Sequence, residues 1–172
     1  MTVKEKSGEI VKVETWSTPL LLGRDFGNWL AGFIDGEGCF FVRKSNRSRG
    51  YIEWQVSFTI RLRRDDEEIL IECKERTGLG VIKRYPARVN RQGIRSNPSS
   101  VWEIRKFSEC VRLGEILTEH PMRAKKARDL WRWSRILQKL MLTKGNKHHG
   151  RRDNRPIQNM VDELRERRKY HD

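Results

Sequence analysis

Cysteine, proline, acidic side chains and long apolar runs are all scarce in this chain of 172 residues. Its three cysteines, Cys39, Cys73 and Cys110, stand far outside any CxxC spacing. Neither a disulfide framework nor a zinc cluster is therefore expected, and the thiols read as reduced and mostly buried. No apolar stretch approaches the roughly 20 residues that cross a bilayer. Residues 1 to 14 alternate Lys with Glu and hold no apolar signal core. These absences predict a soluble, unexported, intracellular protein with no membrane partner. The acid deficit is the informative shortage: 23 Asp and Glu face 37 Lys and Arg, a formal charge of +14. Aromatic residues, by contrast, are plentiful enough for one core, with six Trp and six Phe.

The excess charge is unevenly placed. Residues 43–64 and 81–107 carry +6 each and 123–144 carry +7, whereas 1–42, 65–80 and 108–122 carry −2, −4 and −2, and 145–172 carry +3. Concentration on particular elements is the footprint of a nucleic-acid face. Ile52, Trp54, Val56, Phe58, Ile60 and Leu62 alternate with polar residues, the period of a half-buried strand. Cys39 to Arg47 reads as its partner strand, and Val81–Tyr85 and Ser100–Arg105 as two more, separated by a polar loop from Pro86 to Ser99. Helices fill the gaps. Asp65 or Asp66 is placed to cap one that ends at Gly78, and Ser108 to cap another over Glu109–Leu117. A long helix follows Pro121, over roughly Arg123–Leu142, and a further one follows Pro156. The order helix, two strands, helix, two strands, helices predicts an α+β fold with helices on one face of an antiparallel sheet. Its outward positions are Arg43, Ser45, Arg47, Gln55, Ser57, Thr59, Arg61, Lys83, Tyr85, Glu103 and Arg105, a mixture of donors and acceptors able to read base edges.

The segment Arg24–Gly38, RDFGNWLAGFIDGEG, predicts a helix with two unlike sides. Phe26, Trp29, Leu30, Phe33 and Ile34 are expected to pack under the sheet. Asn28, Ala31, Gly32, Asp35 and Gly36 form the other side. Glycine costs about 1 kcal/mol relative to alanine inside a helix, so two at a spacing of four imply close approach by another helix. Asp35 and Glu37 then place acids at a helix C-terminus, where the dipole opposes them unless a cation is near. Carboxylate and carbonyl oxygens are what Mg²⁺ prefers, and Glu37 is the best candidate ligand.

Leu30–Gly38, LAGFIDGEG, resembles the signature of the LAGLIDADG homing endonucleases, and the order of elements resembles that family's αββαββα core. The likeness runs over roughly 24–142, leaving an N-terminal extension, 1–23, and a basic loop with a C-terminal helix, 143–172. The resemblance implies that Glu37 holds Mg²⁺, for which Mn²⁺ can substitute, with the Gly36 carbonyl as a further ligand. Asp35 is implied as a structural brace. The family's lysine near the cut phosphate follows a proline by a fixed step, which leads from Pro121 to Lys126, with Lys125 as its neighbour. A polar residue past the second strand orders water in relatives; Leu62 occupies that register here, leaving Arg61 or Arg63 for the part.

One signature occurs in the sequence, and double-strand cleavage needs two metal sites, so a homodimer is expected through Asn28, Ala31, Gly32, Asp35 and Gly36. The implied activity is Mg²⁺-dependent cutting of a long pseudopalindromic double-stranded DNA target, one phosphodiester per strand, leaving short 3′ overhangs. Assistance of intron RNA splicing as a maturase, or DNA binding without cleavage, are the alternatives on the same fold. The implied location is the cytoplasm or nucleoid, or an organelle matrix for an organelle-encoded protein. His148 and His149 are adjacent on a loop and lack the spacing to converge on one ion. Arg165, Arg167, Arg168 and Lys169 read as a solvated helix face.

Overall fold

The computed structural model describes residues 22–46, 52–89, 91–142 and 155–166, together with three short strands at 2–4, 10–12 and 147–148. In chain order the elements are β1 (Thr2–Lys4), β2 (Ile10–Lys12), α1 (Arg24–Glu37), β3 (Gly38–Asn46), β4 (Ile52–Arg63) and α2 (Glu67–Thr77). They continue with β5 (Val81–Tyr85), β6 (Arg88–Val89), β7 (Arg95–Ser96), β8 (Ser99–Ile104), α3 (Phe107–Glu119), α4 (Lys126–Leu142), β9 (Lys147–His148) and α5 (Arg155–Glu166). The main sheet runs β3-β4-β8-β5, with β9 added beside the start of β4, and every pairing in it is antiparallel. Among the described residues no helix is long and apolar enough to cross a membrane.

Alternation along β4 turns Trp54, Val56, Phe58 and Ile60 toward the helices, as its period of two requires. Phe40 from β3, Trp102 and Ile104 from β8 and Trp133 from α4 join them at full burial. Phe40 packs against Phe58 at 5.2 Å and Trp133 at 5.1 Å, and Phe58 meets the edge of Trp102 at 5.6 Å. Two of the three fully buried indoles donate to carbonyls, Trp133 to that of Phe41 and Trp102 to that of Leu79, so these two large rings enter the core without stranding a donor. Ile157, Val161 and Leu164 of α5 belong to the same core, and Arg165, expected in solvent, donates to the Val42 carbonyl of β3. Cys73 and Cys110 are buried, and desolvation pushes both thiols up to about 12, which keeps them protonated and inert.

Four local expectations are corrected. In α1 the buried stripe is Phe26, Gly27, Leu30, Ala31 and Ile34, so Ala31 is 2% exposed and inside, while Trp29 is 43% exposed and outside. The contact arc is rotated because small residues admit close neighbours: the His120 ring at the end of α3 lies where a Gly27 side chain would begin. Of the two capping candidates for α2, Asp66 occupies the N-cap position but makes no side-chain cap hydrogen bond, and Asp65 forms a two-pronged pair with Arg63. Ser108 lies inside α3, which starts at Phe107 with Lys106 at the cap position. The loop after Pro86 contains the small β6–β7 hairpin. By contrast, Gly78 ends α2 with φ of 66°, the left-handed conformation that favours glycine.

Glu67, at the first turn of α2, pins that helix to the sheet. It is 9% exposed and receives two nitrogens of Arg84, at 2.8 and 2.6 Å, together with the Ser100 hydroxyl. The Arg84 and Ser100 hydrogen bonds outweigh burial and lower its carboxyl from 4.5 to about 2. Stabilisation of this sign is present above the unfolded-state value and is lost as pH falls toward the folded one. Glu67→Gln should lower the melting temperature at neutral pH, with the gap to the parent closing between about pH 5 and pH 2 in thermal melts. Gly38 generates a second prediction. A Cβ there would lie 2.6 Å from the Ile34 carbonyl oxygen and 2.9 Å from the Phe58 ring. Gly38→Ala should cost about 1–3 kcal/mol in urea unfolding, the range of core overpacking.

Candidate active site and nucleic-acid interface

The helix-to-strand junction at the end of α1 gathers the chemistry. Asp35 turns one carboxylate oxygen to the segment leading into α4, where it accepts from the amides of Arg123 at 2.8 Å and Ala124 at 2.5 Å. An acid at a helix C-terminus is opposed by about 0.3–1 kcal/mol. Hydrogen bonds to a charged acceptor contribute about 1.5–3 kcal/mol each, so the two amides decide the balance in favour of Asp35. That grip sets where α4 begins. Lys126, its first residue, reaches back and donates its ammonium to the Gly36 carbonyl. A cation thus sits against the C-terminus of α1, the sign its dipole calls for. Glu37 completes the junction as an exposed carboxylate at the last position of α1.

Glu37, Gly36 and Asp35 are therefore brought to Lys126, 90 positions beyond Gly36, by one pair of amide hydrogen bonds. The Glu37 carboxylate and the Gly36 carbonyl, the latter taken by Lys126, are hard oxygens of the kind Mg²⁺ prefers. Among the described residues no group of three or more His, Cys, Asp or Glu is arranged to hold a metal.

The outward face of the sheet begins at this junction, because Gly38 pairs with Ile60 and Cys39 with Thr59. Arg43 stands opposite Gln55 and Ser45 opposite Glu53. Ser57 and Thr59 share the same face of β4, and Lys83 and Tyr85 share that of β5 with Val101 and Ser99 of β8. Arg47 lies outside the described residues, as do His149, Arg167, Arg168 and Lys169.

Three of the expected base readers pair with one another. Glu103 is only 7% exposed and pairs with Lys83 and, at 2.8 Å, with Arg105. Adjacency of β5 and β8 creates that cluster, and sequence spacing alone did not reveal it. Arg61 is likewise engaged: its guanidinium lies 4.7 Å from the Tyr85 ring centre and donates to the Ser99 hydroxyl at 2.7 Å. Arg63 is held by Asp65 at 2.8 Å. Leu62 is partly buried against the core, so the two arginines beside it are fixed across the sheet surface and by the following turn.

Asn28, Gly32 and Asp35 line an open groove of about 380 Å³ together with Pro121, Met122 and Arg123. Gly32 and Gly36 face open space, since an added Cβ at either meets nothing within 4 Å. Of the expected interface set, Asn28, Gly32, Asp35 and Gly36 thus border free surface, and Ala31 does not.

Residues 30–137 match the family model described as LAGLIDADG endonuclease. The chain is 36% identical over 100 residues to the intron-encoded DNA endonuclease ai2a of Dictyostelium discoideum, covering 58% of this chain and 27% of that one. It is 24% identical over 106 residues to the probable intron-encoded endonuclease Cox1-I1b of Schizosaccharomyces pombe, covering 62% and 25%. The chain thus spans about a quarter of the length of these relatives. Among solved structures, the LAGLIDADG meganuclease I-AabMI bound to uncleaved DNA superimposes with a TM-score of 0.60 at 24% identity, over 80% of this chain and 42% of that one. The homing endonuclease I-TnaI superimposes with a TM-score of 0.56 at 23% identity, over 81% of this chain and 97% of that one. The fold is theirs, and with the family signature in α1 and the match extending into α4, the chain belongs to the LAGLIDADG endonuclease family.

Proposed function

We propose that this chain is a site-specific, divalent-metal-dependent homing endonuclease that acts as a homodimer on a long pseudopalindromic DNA duplex. The observation that carries the reading is the convergence of Lys126 on the Gly36 carbonyl beside the exposed carboxylate of Glu37. This constellation stands where the outward sheet face starts, as a hydrolytic centre needs when the same surface holds the substrate.

Each group has a part. Glu37 would hold Mg²⁺, or Mn²⁺ in its place, at the phosphate to be cut, joined by the Gly36 carbonyl once Lys126 releases it. Such an ion supplies Lewis-acid stabilisation of phosphate charge and a more acidic water. Lys126, on leaving the Gly36 carbonyl for the phosphate, would stabilise the negative charge that builds there. Asp35 positions Lys126 by holding the start of α4. The outward residues of β3 and β4, Arg43, Ser45, Gln55, Ser57 and Thr59, offer donors and acceptors to one half-site. Arg61 and Arg63, already directed along the surface by Ser99 and Asp65, contact backbone or ordered water near the cut.

One exposed carboxylate per copy matches cleavage of one strand per copy. Two chains meeting through Gly32 and Gly36 would bring both Glu37 residues to one duplex. The target symmetry would then follow the protein's twofold axis, and the products would carry short 3′ overhangs.

Cleavage of DNA carrying the uninterrupted insertion locus of its own gene tests this reading. The parent chain with Mg²⁺ should give one discrete double-strand cut, and none in EDTA. RNA binding without any DNA cut would overturn it in favour of a splicing role. Glu37→Gln should retain binding in a mobility-shift assay and lose cleavage by about 10²-fold or more, the scale for a preorganised electrostatic group. Lys126→Met should slow cutting strongly with little loss of binding; equal losses in both assays would make it a phosphate anchor instead.

A further inference from the structure

We propose that the exposed face of α1 is self-complementary: Trp29 of each protomer is a knob that seats in the partner's groove bordered by Asn28, Gly32, Asp35, Pro121, Met122 and Arg123. The inference deepens the homodimer reading above and rests on it.

The two halves of this contact lie on opposite flanks of one helix. At about 3.6 residues per turn, Gly32 and Gly36 run along the middle of the exposed stripe, with Trp29 and Phe33 to one side and Asn28 and Asp35 to the other. The groove occupies the second side only. Both Glu37 ends must reach the same duplex, so two copies of α1 lie side by side and point the same way. A twofold axis along them turns the Trp29 flank of one copy toward the groove flank of the other. The bare glycines let the helices approach closely enough for both contacts to form at once, giving two identical knobs per dimer.

Trp29 is built as a rigid knob. It remains 43% exposed in the single chain, though a side chain of its size has much to gain from burial. It is stacked between Phe26 at 5.5 Å and Phe33 at 5.2 Å, and Phe26 is backed by the Arg76 guanidinium at 3.7 Å. A ring already immobilised in its own protomer loses little freedom on docking. The groove provides a matching surface: Pro121 and Met122 are apolar, the methionine sulfur suits an aromatic edge, and the Arg123 guanidinium can lie over the indole. The groove is also tied to the α1–α4 junction, because Asp35 lines it while gripping the Arg123 amide.

The test compares full-length parent, Trp29→Ala and Arg123→Trp, the last filling the groove while leaving the main-chain amide in place. Sedimentation equilibrium reads the dimer dissociation constant, and circular dichroism checks folding. Each variant alone should dimerise at least about tenfold more weakly than the parent, the scale of an interface tryptophan. An equimolar mixture should form a heterodimer tighter than either variant's own homodimer, since one partner keeps the knob and the other keeps the open groove. Parent-like dimerisation by both variants, or a mixture no tighter than its components, overturns the knob and leaves the homodimer reading standing. A parent that stays monomeric at all concentrations overturns both.

Discussion

A single carboxylate, that of Asp35, joins the parts of this protein that matter most to one another. Its acceptance of two main-chain amides 88 and 89 residues further along the chain fixes the start of α4 against the end of α1. Lys126 reaches Gly36 because α4 starts there, and Glu37 stays outward because the turn around it is held. The interaction also reverses an unfavourable local arrangement. An acid at a helix C-terminus is opposed by the dipole of its own helix, and here it becomes the acceptor for orphan donors leading into another.

Around that junction the core provides stiffness more than chemistry. A continuous set of aromatic contacts through Phe40, Phe58, Trp102 and Trp133 ties three strands and α4 into one packing unit. Glu67, with Arg84 and Ser100, anchors α2 to the far side of the sheet. The outward face is left polar but is already partly organised: Glu103 gathers Lys83 and Arg105, and Arg61 is tied to Tyr85 and Ser99.

Much of this was legible in the residues. The period of two in β4 foretold which side of the strand enters the core, and glycine at Gly78 foretold the end of α2. The bare positions at Gly32 and Gly36 were visible from their helical spacing, and they do face open space. Sequence failed where partners came from afar. Ala31 and Trp29 exchanged sides because His120 and the neighbouring helices determine which arc of α1 is covered, and a helical wheel contains no information about neighbours. Asp65 and Ser108 had the chemistry of caps but lost that role to Arg63 and to an earlier helix start.

The chain by itself determined its charge, its strand faces, its one signature helix and the acids at that helix's end, because each follows from residue type and short-range spacing. Only tertiary structure decided that Lys126 meets Gly36, that Glu103 pairs with Lys83 and that a groove opens on the flank of α1 away from Trp29. The first depends on long-range contacts whose partners are a backbone carbonyl and, through Asp35, backbone amides. Every residue carries these groups alike, so their pairing is settled by packing and leaves no trace in side-chain identity.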